Sequence, residues 1–167
     1  SLKEPIYIEA TNYYQRGNIE KAEELFKCTV GYMQTDEYLL LISVKEELKK
    51  HSPNITDQQI KDLSKLVSFE DTAKLLVSND NIACAFLNGT WVGGLYYFTM
   101  NANGNKTTAG YNLPCNDYDG YFSIKDGIYS ISKTGESEKN IFKFTVISEN
   151  WIKVYCYKDG STYNLYR

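Results

Sequence analysis

The chain has one histidine, His51, only three prolines, and no apolar run approaching the roughly 18 residues of a membrane span. Each shortage removes a class of function. The four cysteines, Cys28, Cys84, Cys115 and Cys156, stand dozens of residues apart and never in C-x-x-C spacing, so no zinc or dithiol redox pattern is present. His51 lies in the first half and the loop cysteine Cys115 in the second, which leaves a cysteine–histidine catalytic pair without support. The phosphate-cradling G-x-x-x-x-G-K pattern is missing. Asp117-Tyr118-Asp119-Gly120 opens like a calcium loop but has Ile128 where the closing bidentate Glu belongs, so it reads as a turn. Carboxylates are scattered over turns and helix faces and select no acid–base pair. A signal-peptide h-region is lacking. The net charge of −3 offers nucleic acid no basic footprint. The expectation is a protein that is not an enzyme, with no metal, no cofactor, no nucleic-acid partner and no membrane span within this chain.

What is present is a chain in two styles. Residues 1–80 carry 10 Lys+Arg against 14 Asp+Glu, and residues 81–167 carry 8 against 7. The apolar share of 43% is enough for a packed core. Asn88 to Met100 is the hinge in composition, with helical periodicity before it and short alternating runs after it. The cysteines are expected to be unpaired, three as small core hydrophobes and Cys115 in an exposed loop. Asn54, Asn88 and Asn105 begin glycosylation-acceptor patterns that read as chance matches in a Lys-, Asn-, Ile- and Tyr-rich chain of bacterial type.

The first half predicts five helices. Pro5 suits a first turn, Gly17 ends helix one and Asn18 caps helix two. A third helix begins near Thr35 and stops before Pro53, which places His51 at its end. Thr56 with Gln59, then Ser68 with Asp71, form capping-box patterns for helices four and five, and Asn79-Asp80-Asn81 closes the last. Ala10, Tyr13, Gly17, Ala22 and Phe26 stand at the spacing of one tetratricopeptide repeat, and this stretch resembles that family. The resemblance implies close packing of two helices and a groove that binds peptides.

The second half predicts an antiparallel meander of seven runs, the first from Trp91 to Met100, with Asp126-Gly127 and Asp159-Gly160 as hairpin signals. Alternation turns Phe142, Phe144, Val146, Ile152, Val154, Cys156, Tyr163, Leu165 and Arg167 toward the core. Asn88-Gly89-Thr90-Trp91 looks like the Gly-x-Trp motif of lipocalin-like (calycin) barrels, and Arg167 stands at the end of the last run. Asn116-Asp117-Tyr118 is loosely similar to that family's second motif. The resemblance implies a small closed barrel in which Arg167 lies over Trp91 and closes one end.

The reading is therefore an α+β protein, with a tetratricopeptide-like helical domain over residues 1–81 and a lipocalin-like antiparallel β-barrel over residues 82–167. The connector from Ile82 to Leu87 is apolar and is expected to be buried. Tyr96, Tyr129, Tyr155 and Tyr157 fall on the face opposite the core and are the candidate ligand-binding residues, while Trp91 and Arg167 are structural. A protein or peptide partner is the first expectation for a recognition module. A small apolar ligand carried in the barrel is the second, and a hydrolase with an unrecognised site the third. Ser1-Leu2 reads as a cloning remnant before a longer, membrane-anchored, extracytoplasmic bacterial protein, with a cytoplasmic location as the rival.

Overall fold

A computed structural model describes residues 1–103, 106–114 and 120–167, and among them six helices precede eight strands. The protein is α+β. Two compact units divide between Ile55 and Thr56, a boundary that groups residues 56–81 with the sheet rather than with residues 1–55. No helix of the described residues is long and apolar enough to cross a membrane.

In the first unit, α1 (Lys3–Gln15), α2 (Ile19–Lys27) and α3 (Thr35–Leu48) pack around aromatic rings. Gly17 takes φ +79°, a conformation glycine adopts without a Cβ penalty, and reverses the chain. The Asn18 side chain then accepts from the Lys21 N–H at 3.3 Å as the N-cap of α2. Ala10 and Ala22 are fully buried where the two helices approach, and Phe26 stacks on Tyr38 with ring centroids 4.6 Å apart. Thr29 is buried as well, its hydroxyl bonded to that of Thr35 at 3.0 Å.

In the second unit, α4 (Asp57–Ser64) begins with the complete capping box of Thr56 and Gln59. The helix expected from Ser68 is only the single turn α5 (Thr72–Leu75), because Glu70 takes φ +48°, outside helical geometry, and Asp71 makes no cap hydrogen bond. The expected apolar connector is itself a helix, α6 (Asp80–Leu87). Asn79 opens α6 rather than closing α5, since its side chain accepts from the Ile82 N–H at 3.3 Å. Ile82, Ala83, Phe86 and Leu87 are buried, and the helix packs on the sheet.

The strands are β1 (Gly89–Gly93), β2 (Tyr96–Asn103), β3 (Lys106–Tyr111), β4 (Tyr121–Lys125), β5 (Ile128–Ser132), β6 (Lys139–Ser148), β7 (Trp151–Cys156) and β8 (Thr162–Tyr166). The run expected as one strand from Trp91 to Met100 is two. Gly94, at φ +62°, holds the first central position of a two-residue turn that pairs Gly93 with Tyr96. Asp126 and Gly127 both have positive φ and close the β4–β5 hairpin as expected, whereas Asp159-Gly160 belongs to a wider loop between Cys156 and Thr162.

Strand order is β3-β2-β1-β8-β7-β6-β5-β4, antiparallel throughout. Consecutive strands are neighbours except β3 and β4, and β1 pairs with β8, so the first and last strands meet in mid-sheet. The sheet curls into a half-barrel. Its inner face brings Phe98 of β2 within 5.1 Å of Phe144 of β6, and Tyr111 of β3 within 4.8 Å of Phe142, centroid to centroid. No ladder joins β3 to β4 among the described residues.

Cys156 is fully buried and disulfide-bonded, which corrects the expectation that its thiol is unpaired. Cys28 is exposed rather than in a core, and Cys84 is half-buried. Cys115, the Asn116-Asp117-Tyr118 resemblance, the Asp117-Tyr118-Asp119 turn and the acceptor Asn105 lie outside the described residues.

Candidate functional site

Sheet registers decide which side chains share a face, because residues paired across strands point the same way. Tyr129 pairs with Ile124 on one side and Phe142 on the other, and both partners are buried. It therefore points inward. It is 3% exposed, its ring 5.2 Å from that of Phe122, and burial raises its hydroxyl pKa. This corrects its assignment to the outer face: Ile128, Tyr129 and Ile131 are all apolar, so alternation alone does not fix the phase of β5, whose ladder also bulges between Tyr129 and Ser130.

The other three candidate tyrosines are exposed but not together. Tyr155 and Tyr157 meet edge to face at 5.3 Å beside the end of β7. Tyr96 shares the inward phase of Phe98, as its partner Gly93 shares that of Trp91, and meets Tyr163 at 4.7 Å. Its assignment to the outer face is corrected, because the turn at Gly94-Leu95 resets the alternation counted from Trp91.

A different row dominates the outer face. Tyr97 of β2 pairs with Val92 of β1, Val92 with Tyr166 of β8, and Tyr166 with Trp151 of β7. Four neighbouring strands thus present one register line of large side chains to solvent, with Tyr97 41% exposed, Val92 47% and Tyr166 50%. Contiguous exposed apolar surface of this kind marks binding sites more often than chance scatter does. The row is held in place. Trp151 stacks with Tyr166 at 5.8 Å, its indole N–H donates to Asn164 Oδ1 at 3.0 Å, and the Lys153 ammonium lies 5.8 Å from the Trp151 ring centroid. Hydrophobic patterning misses these residues because they are the polar-phase partners of core positions. Their alignment comes from pairing between strands far apart in sequence.

At one end of the half-barrel, the structure brings Trp91 and Arg167 together. The guanidinium sits 4.2 Å from the Trp91 ring centroid and 5.0 Å from that of Phe86. It donates to the Phe86 carbonyl at 2.7 Å and to the Glu149 carbonyl at 3.0 Å. Partial burial lowers its pKa, and the Glu149 carboxylate opposes that shift. Trp91 is fully buried, and its indole N–H donates to the Leu87 carbonyl at 3.0 Å.

Beside this end lies a cleft of about 630 Å³ lined by residues of α4 and α6, including Asp57, Lys61, Asp80 and Cys84, and by Asn88 and Arg167. Burial raises the Asp80 carboxyl pKa, while the Ile124 N–H that it accepts pulls it back. A carboxylate so engaged supports the β4 backbone rather than facing a substrate. No cluster of three or more His, Cys, Asp or Glu side chains among the described residues could hold a metal ion.

No protein-family model, curated protein or solved structure matches the chain.

Proposed function

We propose that this is a non-enzymatic recognition module of a bacterial envelope protein, which presents the outer aromatic face of its sheet to a macromolecular partner. The observation that carries the reading is the register line Tyr97–Val92–Tyr166–Trp151 across four strands. Aromatic side chains held on strands provide contact area at little entropic cost.

Four further observations support parts of it. Phe98, Tyr111, Tyr129 and Phe142, all buried and in mutual ring contact, take up space between β2–β3 and β5–β6, which favours surface recognition over carriage of an apolar ligand. The meander with β1 against β8, and Arg167 over Trp91, fit a lipocalin-like barrel closed between β3 and β4. Buried Ala10, Ala22 and Phe26 fit a tetratricopeptide-like helix pair. The disulfide at Cys156 favours an oxidising compartment and hence an extracytoplasmic location.

Co-sedimentation with a bacterial envelope fraction tests the proposal. The native chain should pellet with the fraction, and a Trp151→Ala/Tyr166→Ala double variant of unchanged melting temperature should bind about tenfold more weakly or less. Equal binding by the two, or none by either, would contradict it.

A further inference from the structure

We infer that the ligand of the outer aromatic face is a linear polysaccharide carrying negative charge. The inference rests on the recognition reading above and adds the chemistry of the partner.

The backbone of this face is already used. β1, β7 and β8 each have a neighbour on both sides, so no peptide can add a strand there, and recognition falls to side chains alone. Those side chains are ring faces with polar tips. The outward positions of β1, β2, β7 and β8 hold Tyr, Trp, Thr, Asn, Lys and the single aliphatic Val92. None holds Met, Phe, Leu, Ile or Arg. Protein interfaces enrich Arg, Met and aromatic residues at their centre and deplete lysine. Here Lys153 stands on β7 at the Trp151 end of the row, against the Trp151 ring.

The spacing suits a repeating chain. Tyr97 and Tyr166 flank Val92 and are two strand steps apart, about 10 Å for strands roughly 4.8 Å apart. That is comparable to the repeat of an extended disaccharide, whose axial C–H groups lie flat on aromatic rings. Trp151 adds a third ring one strand further along the same line. Its link to Asn164 fixes the indole before any ligand arrives.

Charge sets the class. The whole chain is acidic, at −3, yet none of those outward positions carries Asp or Glu. Asp159, in the nearby loop, is turned to the Ser161 N–H and the Tyr163 hydroxyl. Lys153 takes part in no ion pair among the described residues, nor does Lys143, which pairs with Tyr155 on the adjacent strand. Lys153 is placed to meet carboxylate, sulfate or phosphate groups on a glycan, whereas Lys143 lines a separate cleft with Asp71 and Asp126.

The test is binding of the full chain to immobilised hyaluronan, heparin and polygalacturonate, with dextran, poly-glutamate and oligo(dT) as counter-probes. At least one acidic polysaccharide should bind, more weakly as salt is raised. Trp151→Ala and Tyr97→Ser, on separate strands, should each weaken that binding about tenfold, and Lys153→Gln several-fold. Tyr121→Ala, which removes a ring that is 82% exposed on β4, should change nothing. The inference is overturned if no acidic polysaccharide binds, or if dextran, poly-glutamate or oligo(dT) binds as tightly. It is also overturned if the folded ring variants bind like the parent. Should that happen while envelope co-sedimentation still depends on Trp151 and Tyr166, the polysaccharide class falls and the recognition reading stands.

Discussion

Trp91→Ala should destabilise the sheet unit by about 3–5 kcal/mol, the range for removing a buried aromatic side chain and leaving its cavity. The size follows from what the indole does. It is fully buried, it satisfies the Leu87 carbonyl at the end of α6, and it supplies the ring under Arg167. Because the guanidinium also holds the Phe86 and Glu149 carbonyls, losing the ring loosens a contact that joins α6, β1 and the turn before β7. Urea melts of Trp91→Ala, Arg167→Ala and the double variant should show a coupling of about 1 kcal/mol between the two side chains. A double variant equal to the sum of the singles would mean that Arg167 merely lies near the ring.

Gly93→Ala should be the other large effect, at about 3 kcal/mol, although it adds only a methyl group. A Cβ at Gly93 would sit 2.1 Å from the Asn164 carbonyl oxygen, a backbone atom that no rotamer change can move aside. The β1–β8 ladder joins the first and last strands in chain order, so the strain falls on the contact that holds β1–β3 to β4–β8. Denaturant midpoints decide the matter, and a Gly93→Ala midpoint equal to the parent's would show that β1 and β8 separate without cost. Since Val92 and Tyr166 meet at this same seam, the variant should also disorder the aromatic row.

Local signals were legible where one or two residues determine the geometry. Asn18, Thr56 with Gln59, and Asp126-Gly127 do what their chemistry prescribes, because caps and tight turns depend on side chains a few residues apart. Arg167 over Trp91 was foreseen from a family likeness and two inward phases. The α6 helix escaped notice because Asn79 is as good an opener as a closer, and only Ile82's N–H decides between them. Gly93-Gly94 hides a hairpin inside what reads as one apolar strand.

The recognition face was the least legible part. Tyr155 and Tyr157 were found from alternation within one strand, but Tyr97, Tyr166 and Trp151 become a row only through the registers of β1 with β2, β1 with β8, and β7 with β8. Such registers are set by the whole curled sheet. Tyr129 shows the same limit from the other side, since its inward phase is settled by Phe142 across the ladder rather than by its own neighbours in sequence.

Hydroxyl-radical footprinting of the full chain, alone and on a bacterial envelope fraction, tests the recognition face most directly, because it reports side-chain exposure residue by residue. Oxidation of Tyr97, Trp151, Tyr155 and Tyr166 should fall together on binding, while Tyr121 on β4 reacts as before. Protection confined to the cleft beside Asp57 and Asp80, or to the helices of the first unit, with the aromatic row still fully reactive, would contradict it.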